Sequence, residues 1–147
     1  MKLLAIDIGS SAIKSAIIVK GKITGQIVRT AFPTHCAGAQ VEVDGREILR
    51  ALGQGLRDLG DDIRHVDCIS LSVMSPAWVA MDRNGQPLTP IVTHQDRRSV
   101  DIALELEKRV GKARHLKLAG NRPFPGGVSS TTYAWFNQNA KAVMKKA

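Results

Sequence analysis

The first 31 residues constrain the fold more than any other part of this chain. Residues 3–8 (Leu-Leu-Ala-Ile-Asp-Ile), 13–19 and 22–31 are short apolar-rich runs with no space for a helix between them. Runs of that length read as strands. Their connections, Gly9-Ser10-Ser11 and Gly21-Lys22, are too short for a parallel crossover. The three strands are therefore expected to form an antiparallel meander.

The next segment changes period. Asp44-Gly45-Arg46-Glu47 has the form of a capping box, and Ile48, Leu52, Leu56 and Leu59 make a helical stripe that Gly60 ends. His65 to Val73 alternates and then runs apolar, which predicts a fourth strand. A helix between two strands implies a crossover, hence a mixed sheet. Asp82-Arg83-Asn84-Gly85, flanked by 78–81 and 88–92, predicts a β-hairpin that leaves the main sheet. Ser99 is placed to cap a helix with Ala103, Leu106 and Val110 on its inner face and Gly111 at its end. Residues 112–118 add a helical turn, and the Pro- and Gly-rich stretch 120–130 reads as a loop. Thr131 to Ala147 fits a helix with Trp135, Phe136 and Val143 facing inward. The fold class expected is α/β: three antiparallel strands, then a parallel crossover, with a β-hairpin insertion.

Composition narrows the functional classes. At 147 residues, the simplest organisation is one domain with a real core. The formal charge of +8 raises the question of nucleic acid, but the 21 basic residues are spread along the chain and stacking aromatics are few. A solvated basic surface, or an anionic small-molecule substrate, accounts for the charge, and no nucleic-acid partner is expected. No run is long enough to span a membrane, and Asp7 interrupts the N-terminal apolar stretch too early for a signal peptide. A cytoplasmic location is the expectation. Cys36 and Cys68 are expected to stay reduced, and the four histidines lack helical metal-ligand spacing, so no structural zinc is expected.

Two places could carry chemistry. Asp7, Gly9, Ser10, Ser11 and Lys14 put an acid, bare backbone, hydroxyls and a lysine at one strand turn. Such a set can cradle phosphate oxygens, with the acid holding a magnesium ion through water. The same residue types also make ordinary hairpin turns, and local chemistry leaves both readings open. Asp96 and Arg98 can form a substrate-facing pair, one accepting and one donating, or cap the helix that follows. Trp78 can stack on a bound ligand or pack on the hairpin, and Arg122 is a candidate for meeting an anionic group.

Here a family resemblance enters. Asp7-x-Gly9-Ser10-Ser11-x-x-Lys14 resembles the first phosphate motif of the FGGY carbohydrate kinases, within the actin-like ATPase superfamily. The stretch 82–99, with Asp82, Pro87, Leu88, Asp96 and Arg98 in register, is similar to that family's "D…G.PL.p.i.W.D.R" segment, and Gly120-Asn121 with Trp135 to its "tGn…K..W" stretch. The resemblance spans nearly the whole chain. It implies a ribonuclease H-like (actin-like ATPase) fold and transfer of phosphate from ATP, with Mg²⁺, to a sugar, sugar acid or polyol. Asp7 would position the metal through water, Gly9, Ser10, Ser11 and Lys14 would meet the phosphates, and Ser75, Trp78, Asp96 and Arg98 would line the sugar pocket.

The departures are specific. The family has Trp where this chain has His94, and a Lys near Thr131 or Thr132. Met74-Ser75-Pro76-Ala77 stands where xylulokinases carry Gln-Met-His-Gly, while Ser72 to Ser75 distantly resembles a gluconokinase pattern. The family's general-base Asp belongs to a later "D.sDA.gt" segment that these 147 residues do not contain. No catalytic residue is thus expected within the chain. Residues 1–147 are expected to be a partial N-terminal domain, lacking the rest of domain I and the C-terminal ATP domain, and inactive alone. The parent protein is compatible with a homodimer. A non-catalytic sugar- or protein-binding module of the same fold is the main alternative.

Overall fold

The computed structural model describes residues 1–147. In chain order the elements are β1 (Lys2–Ile8), β2 (Ala12–Val19), β3 (Lys22–Ala31), β4 (His35–Ala37), β5 (Gln40–Val43), α1 (Gly45–Asp58), β6 (Cys68–Val73), β7 (Ile91–Val92), α2 (Val100–Val110), α3 (Lys112–Ala119), α4 (Ser129–Asn139) and α5 (Lys141–Met144). They divide into two compact units, Met1–Thr34 with Asp44–Met74, and His35–Val43 with Ser75–Ala147.

The first unit holds a four-stranded sheet of order β3-β2-β1-β6. β1, β2 and β3 pair antiparallel, while β6 runs parallel to β1 after the α1 crossover, so the sheet is mixed. The β2–β3 turn is Lys20-Gly21, one residue earlier than the sequence suggests, with φ of 49° and 76°. Two positive φ values mark the turn type whose twist matches antiparallel strands. Leu4, Ile6, Ile13, Ile17 and Val28 are buried on one face, where β2 and β3 meet α1. Each fully buried Ile contributes about 1.5–3 kcal/mol of transfer free energy.

Helix α1 shows why the apolar stripe was only partly right. Its buried line is Ile48, Ala51 and Gly55, continued by Leu59, whereas Leu52 and Leu56 are half-buried. A side chain at Gly55 would come within 3.0 Å of Thr30 Oγ1. The smallest residues therefore face the sheet and let the helix approach it. Asp44 does cap α1, Oδ1 accepting from Arg46 N at 2.8 Å, but the box is not completed, because Glu47 pairs with Arg50. β6 is also shorter than the 65–73 run, since His65 adopts φ 60° and Asp67 N bonds Lys2 O at 2.7 Å. As an edge strand β6 leaves Ile69, Leu71 and Val73 exposed.

The second unit contains a three-stranded antiparallel sheet, β4-β5-β7. The sequence reading assigned nothing to 35–43, yet those residues form its hairpin. Val43 and Val92 are fully buried there. The Asp82 turn is present: Asp82 Oδ1 accepts from Asn84 N and Gln86 N, each at 2.8 Å. Its arms are tied by Trp78–Val92 and Met81–Pro87 bridges rather than by long strands. Ser99 occupies the N-cap position of α2 without capping it, its hydroxyl being buried and unpartnered. α3 is a full helix with no buried residue. The helix expected over 131–147 starts at Ser129 and breaks at Ala140 (φ −135°, ψ 47°). No helix is long and apolar enough to cross a membrane. Both cysteines are free and exposed.

Candidate functional site

In the first unit, the β1–β2 hairpin places its polar residues at one end of the sheet. Asp7 and Lys14 are direct cross-strand partners, so both side chains stand on the same face. That face carries a cavity of about 230 Å³ lined by Asp7, Lys14, Ser70, Ser72 and the apolar floor Ala16 and Ile23. Asp7 and Lys14 form no salt bridge within 4.0 Å with each other or with any neighbour. Gly9 N closes the turn by donating to Ala12 O at 3.0 Å. The carbonyls of Ser10 and Ser11 are held by Thr34 Oγ1 and Phe32 N, at 3.3 and 3.2 Å. This anchors the turn while leaving both serine hydroxyls free.

The donor set fits a magnesium ion of one kind only. No three His, Cys, Asp or Glu side chains converge anywhere in the chain. A protein cage for a bare ion is therefore absent, but Mg²⁺ that keeps its waters needs only one carboxylate plus phosphate oxygens. Asp7 is such a carboxylate. Sequence reasoning missed Ser70 and Ser72. Their signal was the alternation Cys-Ile-Ser-Leu-Ser-Val, which together with the Ala5–Ser70 and Asp7–Ser72 pairing puts both hydroxyls beside Asp7.

In the second unit, a cavity of about 520 Å³ is lined by Ser75, His94, Arg97, Asn121, Phe124 and Ser129, among others. Two glycines shape its wall. A Cβ on Gly126 would collide with the carbonyl oxygen of His94, and one on Gly127 would lie 2.6 Å from Pro76 O. Both adopt positive φ, 80° and 71°. The Pro-Gly-Gly segment therefore packs backbone to backbone against both flanks of the cavity, which no larger residue permits.

Of the sequence-predicted sugar residues, Ser75 lines this cavity; Trp78, Asp96 and Arg98 do not. Asp96 is fully buried and accepts from Val41 N at 2.8 Å, from Arg98 N at 2.9 Å and from the Arg98 guanidinium. Arg98 also pairs with Glu42 and lies 5.0 Å from the Trp135 ring centroid and 5.3 Å from that of Phe136. Burial alone would lower the Arg98 pKa. Hydrogen bonds to Asp96 and Glu42, with their charges, outweigh it and raise the pKa. Trp78 stacks on Phe136 at 4.7 Å. These groups form a buried layer fixing residues 96–98 to β5 and α4. Arg122 is held by Glu107, both contacts at 2.6 Å. Arg97, which the sequence reading passed over, is in the cavity wall.

The model of the N-terminal domain of the FGGY family of carbohydrate kinases matches residues 2–147. A xylulose kinase of Streptomyces coelicolor is 25% identical over 139 residues, covering 92% of this chain and 29% of that protein. A gluconokinase of Bacillus subtilis is 24% identical over 148 residues, covering 99% of this chain and 29% of its own. Among solved structures, a gluconate kinase from Lactobacillus acidophilus superposes with a TM-score of 0.89 at 20% identity, over 99% of this chain and 30% of the other. A ligand-bound xylulose kinase from the same organism gives the same TM-score, identity and coverage. The chain thus spans about 30% of the length of the relatives it matches.

Proposed function

This chain belongs to the FGGY family of carbohydrate kinases, as its N-terminal domain, and we propose that it supplies the phosphate turn and the sugar cavity of an ATP-dependent carbohydrate kinase. The reaction is transfer of the γ-phosphoryl group of ATP to a hydroxyl of a sugar, sugar acid or polyol. The observation that carries the reading is the Asp7–Lys14 pair, set face to face beside an open Gly-Ser-Ser turn and engaged by no partner in the fold. A structural hairpin has no use for two unpaired charges beside a cavity.

Each residue then has a role. Asp7 would hold hydrated Mg²⁺, which would supply positive charge to the phosphates. The Ser10 and Ser11 hydroxyls donate hydrogen bonds to phosphate oxygens, and Lys14 meets the same phosphates as a point charge. Gly9 keeps the turn tight enough for that approach. In the second unit, Ser75 hydrogen-bonds the acceptor sugar. Trp78, Asp96 and Arg98 hold the His94–Arg97 segment in place from beneath. The general base that takes the hydroxyl proton is assigned to the part of the kinase outside these residues, as only about 30% of the relatives' length is represented here.

One observation favours a second reading, a non-catalytic sugar-binding module: the sugar cavity is formed by residues of a single unit. The readings differ over ATP. Purified 147-residue chain given Mg·ATP and a panel of sugars should release no ADP above background, yet Mg·ATP should bind weakly and saturably, with Asp7→Asn abolishing that binding. Complete indifference to Mg·ATP favours the binding module. Robust turnover contradicts the assignment of the base elsewhere.

A further inference from the structure

Resting on the sugar-cavity reading, we propose that the cavity of the second unit selects an anionic sugar, one bearing a carboxylate, and that Arg97 is the residue that recognises it. The charge inventory points this way. Ser75, His94, Asn121 and Ser129 line the cavity with Arg97, and no acidic side chain does. Three arginines in this unit can be compared directly. Arg98 is neutralised by Asp96 and Glu42, and Arg122 by Glu107. Arg97 has no carboxylate partner.

Its geometry is nevertheless fixed. Arg97 Nη1 donates to the carbonyls of His94 and Asp96, both at 2.9 Å, and Arg97 N donates to Ala39 O at 2.8 Å. The other guanidinium N–H groups, on Nε and Nη2, bond nothing in the protein. A guanidinium pinned by one nitrogen and open on the others can receive a carboxylate through a two-point contact. The acid next to it in sequence, Asp96, cannot compete, because its oxygens are already occupied by Val41 N and Arg98. The same cavity receives the start of α4 at Val128 and Ser129, whose N-cap residue offers no side-chain oxygen. The partial positive charge of that terminus reinforces the preference for an anion.

The matched probes are gluconate and glucitol, a sugar acid and an uncharged polyol with the same carbon count. Titration of the 147-residue chain by calorimetry or NMR should give gluconate at least about tenfold tighter than glucitol, the scale of one charge-assisted hydrogen-bonded pair. The preference should shrink as salt rises. Arg97→Gln should remove it by weakening gluconate far more than glucitol, and Arg97→Lys should restore part of it. Retained saturable glucitol binding also shows that the cavity has survived the substitution. Equal binding of the two probes, or a preference that Arg97→Gln leaves intact, overturns the role of Arg97 but leaves the sugar-cavity reading standing. Binding of neither probe overturns both.

Discussion

Replacing Arg98 by methionine tests the buried layer that fixes residues 96–98 to β5 and α4. The Arg98 side chain is 5% exposed and lies between Asp96, at 0%, and Glu42, at 19%. Methionine keeps much of the stem's volume and its packing on Trp135 and Phe136. It removes the charge and leaves two carboxylates facing each other, one of them without access to water. Breaking a buried pair in this way costs about 3–5 kcal/mol, with roughly 0.5–2 kcal/mol more from the lost cation–π contacts. Against a total stability of about 5–15 kcal/mol, that is a large fraction. For a chain of this size the midpoint of thermal unfolding should fall by on the order of 10 °C, and the urea midpoint by about 2 M. Circular dichroism during urea titration reads both the loss and any change in slope. Adding Asp96→Asn to the variant should recover a substantial part, because the buried charge is then gone while a carbonyl remains for Val41 N. A loss below about 1 kcal/mol, the value of an exposed ion pair, would refute the reasoning.

Other consequences can be checked on the same material. Hydrogen bonding to Arg122 holds the Glu107 carboxyl below its ordinary value of 4.5 in the folded chain. Its contribution is therefore complete above the unfolded value and fades as pH falls through the lower folded one; an NMR titration should show this, and Arg122→Gln should move the midpoint back up. Gly126→Ala should destabilise by roughly 2 kcal/mol or more, since the new methyl collides with His94 O and the backbone has φ 80°. A thermal melt unchanged by that substitution would contradict the packing described. Asp7→Asn and Lys14→Met should each change stability by no more than about 0.5 kcal/mol, because neither charge has a partner in the fold.

The first unit was largely legible in the sequence because local rules decide it. Short turns impose antiparallel pairing, and Asp44 and Gly60 punctuate a helix wherever they fall. Two features escaped for physical reasons. The α1 face follows close approach at Gly55 rather than the largest apolar side chains. The β4–β5 hairpin is made of strands too short to show a period, and Val43 and Val92 are buried through pairing that is distant in sequence. The candidate sites divide the same way. Asp7 and Lys14 were found because their spacing straddles a single turn. Asp96 and Arg98 were visible as a motif, but only tertiary structure shows that their charges satisfy each other. Arg97 has no periodic signal at all; it stands out once its neighbours' partners are counted.

The most direct measurement is a pair of NMR titrations on isotopically labelled chain, one with Mg·ATP and one with gluconate. If the chain carries the phosphate turn and sugar cavity of a carbohydrate kinase, Mg·ATP perturbs amides from Asp7 to Lys14 together with Ser70 and Ser72. Gluconate perturbs those at 75–77, 94–97 and 127–129. Saturable shifts confined to other surfaces, or none from either ligand, would contradict that assignment.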